Sequence, residues 1–189
     1  MNFADPRTTT VLSKGRLLAL DPGTGHPAIA SFKDAKLIVA ARVKLPGTLT
    51  KLGRLERARA IAELVVAQAL SYTNGEPYDN LVCEMPQIYN HGKSKGDPNK
   101  ILLLALVVAA VAGKMGIPCT DFLPSEWIGQ IPKSTKAGEA WTSARGVIIK
   151  SRLRDEWTLC APDNDSVDAT GVGLKAVGRL DRNVFPGST

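Results

Sequence analysis

At 189 residues, 44% hydrophobic and 22% charged, the chain can bury one substantial core and falls outside the disordered and fibrous classes. Its net charge of +6 and pI near 9.3 point to a polyanionic partner, nucleic acid first, because cations that neutralise phosphates release condensed counterions. Cys83, Cys119 and Cys160 are scattered and the only histidines are His26 and His91, which excludes disulfide frameworks, zinc-type clusters and histidine-rich metal centres and leaves the cysteines as reduced core residues.

The N-terminus has no apolar stretch behind a basic flank, so no secretory signal is expected, and residues 1–15 read as a flexible segment. Arg16 to Leu20 is a short apolar run stopped by Asp21-Pro22-Gly23, and β-like runs follow at Ala28 to Phe32 and Leu37 to Val43. These predict a three-strand meander that turns at Lys33-Asp34. From Leu52 to Ser71, Leu55, Ala58, Ile61, Ala62, Val65, Val66 and Ala69 recur at helical spacing. The Asn74-Gly75 turn leads to a fourth strand, Asn80 to Cys83, which closes on Glu84.

A polar loop from Gln87 to Pro98 precedes an apolar helix from Lys100 to Lys114. Its apolar run, Ile101 to Ala112, is shorter than the roughly 20 residues that span a bilayer, so a buried helix and no membrane partner are expected. A fifth strand follows at Thr120 to Leu123, and Ser125 is placed to cap one helical turn. After the loop Ile131 to Gly138 come a helix from about Glu139 to Arg154 and a last helix from near Asp165 to about Arg179. Residues 181–189 read as a flexible tail. Strands separated by helices pair in parallel, so this order predicts an α/β domain over 16–180, a five-stranded mixed sheet with helices on both faces.

Four carboxylates sit where such sheets hold ligands. Asp21 ends the first strand and Glu84 the fourth, so the two project side by side if those strands are neighbours. Asp165 and Asp168, three apart at a helix start, lie on one face. Four carboxylates within about 5 Å repel by several kcal/mol, which is tolerable only with cations among them. All-oxygen ligands suit magnesium or manganese, and such ions activate water and stabilise both the attacking and leaving oxygens of a phosphodiester. Each residue also has a plainer reading: Asp21 as a turn former, Asp165 as a helix cap, Glu84 as half of a buried ion pair.

The run Leu18-Ala19-Leu20-Asp21-Pro22-Gly23-Thr24-Gly25, followed by Leu81-Val82-Cys83-Glu84 and Asp165-Ser166-Val167-Asp168-Ala169, resembles the RuvC family of Holliday-junction resolvases and their phage relatives. The resemblance covers roughly Arg16 to Leu180 and implies a ribonuclease H-like fold. It further implies a metal-dependent endonuclease of DNA recombination and repair, acting in the cytoplasm as a homodimer on four-way junctions and other branched DNA. By the same resemblance Asp21, Glu84, Asp165 and Asp168 are catalytic and bind two Mg2+ ions, with Mn2+ as a substitute. Lys136 matches the family's catalytic lysine, Lys133 is the nearby substitute, and either also reads as a solvated loop charge. The family carries an aromatic residue shortly after the strand-end glutamate; here Met85-Pro86-Gln87-Ile88 comes before Tyr89, so the register differs.

Positive charge concentrates at Arg42 to Arg59, His91 to Lys100 and Lys133 to Arg154, stretches expected to contact phosphates without reading sequence. Tyr89, His91, Lys93, Lys95, Lys133 and Lys136 are the DNA-binding candidates, with Gly92 and Gly96 giving the first loop freedom to close over a strand. Trp127, Trp141 and Trp157 are expected in core or dimer packing. Two other readings compete. Asp-Pro-Gly-Thr-Gly after a strand also resembles the first phosphate loop of actin and sugar-kinase ATPases, although these need two such domains. A DNA-binding protein that keeps the fold without cutting is the other, and the complete acidic set argues against it.

Overall fold

The computed structural model describes residues 11–85, 97–128 and 139–180. Strands β1 (Arg16–Asp21), β2 (Ala28–Lys33) and β3 (Lys36–Arg42) form the antiparallel meander, with Leu18 opposite Ser31 and Ala30 opposite Ala40. The β2–β3 hairpin turns through Asp34 and Ala35, both at positive φ, the backbone twist that a two-residue hairpin loop requires. On the other side of β1, β4 (Asn80–Glu84) pairs in parallel, and β5 (Cys119–Phe122) pairs in parallel with β4. The order β3-β2-β1-β4-β5 is the five-stranded mixed sheet that the sequence predicts.

Helices cover both faces, which is why β1 is apolar at consecutive positions instead of alternating. Leu18 and Leu20 of β1 and Leu81 and Cys83 of β4 pack against α1 (Arg54–Tyr72) and α2 (Pro98–Met115) through Ile61, Val65, Val107 and Val111. Leu17 and Ala19 of β1 and Val82 of β4 face the opposite way. They pack with Trp127 of α3 (Pro124–Trp127), Ile149 of α4 (Ala144–Leu153), and Val167, Ala169 and Val172 of α5 (Asn164–Ala176). A Cβ at Gly171 would run into the Trp127 ring and one at Gly173 into Phe32, so these two glycines set how closely α5 approaches the sheet layer.

The structure departs from the sequence expectations in four places. The helix expected over 139–154 is interrupted: a 3-10 turn, Ala140–Thr142, precedes α4, because the Ser143 side chain accepts from the Gly146 amide and starts the helix afresh. Helix α2 is buried on one face only. Leu103, Val107 and Val111 are buried while Leu102 is 47% exposed, so this helix, long and apolar enough by length and composition to cross a membrane, also packs as a core helix does. Residues 11–15, expected to be loose, are held by Leu12 donating to the Ala176 carbonyl and Gly15 donating to Asp34. Finally, Cys83 and Cys160 are buried as expected, but Cys119, on a strand whose only buried residue is Phe122, is exposed.

Candidate active site

The parallel pairing of β1 with β4 sets Leu20 beside Cys83, so Asp21 and Glu84, the next residues, end adjacent strands at the same edge. Strand alternation then fixes their direction. Asp21 follows Leu17 and Ala19, and Glu84 follows Val82, onto the face that carries α5. Glu84 Oε2 accepts from the indole Nε1 of fully buried Trp127 at 2.9 Å, which answers the cost of placing a carboxylate at the end of a buried strand.

Helix α5 begins over this corner. After the 3-10 stretch Arg154–Leu159, Cys160 bridges to Ala40 of β3 and the Ala161 amide donates to the Ala40 carbonyl, a register that brings 163–165 to the end of β3. Asp163, rather than Asp165, caps the helix: it accepts from the Ser166 amide at 2.9 Å and from the Ser166 hydroxyl at 2.8 Å. Arg42, the last residue of β3, pairs with Asp163 at 2.9 Å and Asp165 at 2.7 Å. One turn further, Asp168 is 2% exposed and pairs with Arg145 of α4 at 2.8 Å. That guanidinium lies 5.8 Å from the centroid of the Trp127 ring. One aromatic side chain therefore joins Glu84 of β4 to the Arg145–Asp168 pair of α4 and α5.

Asp21, Glu84, Asp165 and Asp168 thus occupy one end of one face of the sheet, as oxygen donors of the kind a hard divalent ion takes. The donor chemistry fits such an ion, but Asp165 and Asp168 are neutralised here by Arg42 and Arg145. Among the described residues no three His, Cys, Asp or Glu side chains gather closely enough to hold a metal. Arg42 and Arg145, both in stretches read from sequence as phosphate-contacting, turn inward to these acids. Tyr89, His91, Lys93, Lys95, Lys133 and Lys136 lie outside the described residues.

No protein-family model and no curated protein matches this chain by sequence. Solved structures do match. Thermus thermophilus RuvC in complex with a Holliday junction substrate is similar over 88% of this chain and 98% of that one, with TM-score 0.55 and 15% identity. The Thermus thermophilus RuvC structure is similar over the same shares, with TM-score 0.52 and 16% identity. The fold is that of RuvC.

In this RuvC-like fold a second feature adjoins the acidic corner. A cavity of about 370 Å³ opens between the first turns of α1 and α2 and the loop after Asp21, lined by Thr24, Arg54, Arg57, Asp97, Asn99 and Lys100 among others. Arg57 Nη2 donates to the Thr24 carbonyl at 2.8 Å, Arg54 Nη2 to Asn99 Oδ1 at 2.7 Å, and Asp97 is occupied in capping α2. Among the described residues none of Arg54, Arg57 and Lys100 has a carboxylate partner, so their charge is available to an anion. Trp141 and Trp157 contact each other edge to face, 6.2 Å between centroids, against the α4–α5 core, so all three tryptophans serve packing.

Proposed function

We propose that this protein is a metal-dependent endonuclease that hydrolyses phosphodiester bonds in branched DNA, acting in the cytoplasm and resolving four-way junctions as a homodimer. The observation that carries the reading is the placement of Asp21 and Glu84 on adjacent parallel strand ends, facing α5 with Asp165 and Asp168, on a RuvC fold. The four carboxylates would hold Mg2+, or Mn2+ in its place, which when bound supplies an activated water and charge stabilisation at the phosphate. Trp127 fixes the direction of Glu84, and Asp163 and Arg42 fix the start of α5 that carries Asp165.

Arg54, Arg57 and Lys100 give the DNA backbone a cationic seat beside the acids, and Lys136 or Lys133 is assigned the proton-handling lysine. The exposed apolar face of α2 around Leu102 is the surface offered to a second copy. A second reading, a protein of this fold that binds junctions without cutting, is favoured by the arginine pairs at Asp165 and Asp168. The test is nicking of a synthetic four-way junction in Mg2+. The nuclease reading expects the wild type to cut and Asp21→Asn to bind the junction without cutting; equal cutting by both, or by neither, refutes it.

A further inference from the structure

We propose that the cavity at the β2–β3 hairpin binds the phosphate group of a phosphorylated ligand, at a site separate from the acidic corner. The cavity, about 580 Å³, lies between the hairpin turn and the C-terminal ends of α4 and α5, lined by Asp34, Lys36, Arg152, Arg154, Glu156 and Arg179 among others. Strand β2 runs from Ala28, opposite Asp21, to Lys33 beside that turn. At roughly 3.3 Å per residue, about 17 Å of strand separates the two places.

Both carboxylates in the wall are already engaged. Glu156 Oε2 accepts from the Leu37 amide at 2.9 Å and from Arg179 Nη1 at 2.9 Å, and Asp34 Oδ1 accepts from the Gly15 amide at 3.0 Å. Arg179 also donates to the Ala35 and Arg152 carbonyls, which makes it a brace between the hairpin and the end of α4. The other three cations have no such duty. Among the described residues Lys36, Arg152 and Arg154 form no ion pair, and Arg152 Nε is buried without a hydrogen-bond acceptor. A cation in the last turn of α4 is favoured by the helix dipole, which accounts for the charge of Arg152. It leaves the buried N–H unsatisfied, a cost that an anion in the cavity would remove.

Arg154 supplies an independent sign. It follows α4 at φ 56° and ψ −122°, backbone that glycine adopts freely and other residues rarely do, yet the position carries an exposed arginine. Strain of that kind concentrates at ligand sites. Arginine and lysine are the donors that phosphate oxygens take, and the volume leaves room for the group that carries the phosphate. That group is either a small molecule or a DNA backbone; the recognition chemistry is shared, and the experiment separates the two.

The test is calorimetric titration of the full-length protein with pyrophosphate in metal-free buffer, beside anisotropy titrations of junction DNA over a range of salt. The wild type is expected to bind pyrophosphate saturably, with affinity at least about tenfold lower in Arg152→Gln and in Arg154→Gly. Lys100→Gln, in the other cavity, is expected to keep wild-type affinity for pyrophosphate. Arg154→Gly should melt no lower than the wild type, since glycine relieves the backbone, so its loss of affinity is not a loss of fold. If the slope of log junction affinity against log salt also falls by about one in Arg154→Gly, the phosphate is that of DNA; an unchanged slope assigns the site to a small phosphorylated molecule. Absence of saturable binding by the wild type overturns the proposal. So does wild-type affinity in Arg154→Gly, which decides alone if Arg152→Gln does not fold, or an equal loss in Lys100→Gln, which reduces the binding to net charge.

Discussion

Replacing Trp127 with phenylalanine tests whether the indole holds the acidic corner together. The ring is fully buried and its N–H donates to Glu84 at 2.9 Å. Loss of a hydrogen bond to a charged group costs about 1.5 to 3 kcal/mol, and the space left by the smaller ring adds on the order of 1 kcal/mol. The sum, about 3 kcal/mol, corresponds to a fall in Tm of roughly 6 to 12 °C for a chain of this length. Circular dichroism melts in EDTA measure it, and a double-mutant cycle with Glu84→Ala isolates the bond, with an expected coupling of about 1.5 kcal/mol or more. A fall in Tm below about 3 °C, or a coupling near zero, refutes the assignment of Glu84 to Trp127.

Three further outcomes follow from the geometry. Lys100→Gln, in the cavity beside the acids, is expected to lower the slope of log affinity against log salt for junction DNA by about one, measured by fluorescence anisotropy; an unchanged slope removes Lys100 from the interface. With a thiol reagent at neutral pH the native protein is expected to show one fast cysteine and two protected ones. The fast one is Cys119, exposed and with its thiol pKa lowered by the hydrogen bond from Cys83, whose own pKa that bond and burial raise; Cys119→Ser should remove the fast phase. Burial, the leading cause, pushes the Cys160 thiol up to about 12 from an ordinary 9.0. Its protonated form is thus favoured by folding, so the stability it contributes is whole below pH 9 and lost as pH rises towards about 12. Cys160→Ala should lose stability less steeply over that window in denaturant titrations, and an identical slope would contradict this.

Much of the fold is legible because it is written in local periodicity. The apolar run before Asp21, the run before Glu84 and the helical spacing of Ile61, Ala62 and Val65 each state an element without reference to the rest of the chain. The parallel pairing of β1 with β4 follows from the helix between them, and with it the adjacency of Asp21 and Glu84. What the sequence hides are pairings made across distance. Arg42 meets Asp163 and Asp165 only because Cys160 returns beside Ala40, and no spacing rule announces that. Arg145 sits in a basic stretch and reads as surface, yet the Gly171 gap draws Trp127 towards α5, and Arg145 packs over that ring onto Asp168. One signal was available: Asp163 three residues before Ser166 is a capping spacing, which would have moved the start of α5 from Asp165 to its true place.

We propose that the carboxylates at the ends of β1 and β4 and the start of α5 perform hydrolysis. Single-turnover cleavage of an end-labelled four-way junction, with enzyme saturating and Mg2+ against EDTA, tests it most directly. Strand scission by the wild type is expected in Mg2+ alone, with a loss of at least about a thousandfold in rate for Glu84→Gln and junction affinity retained. Scission at wild-type rate by Glu84→Gln, or scission that persists in EDTA, would contradict it.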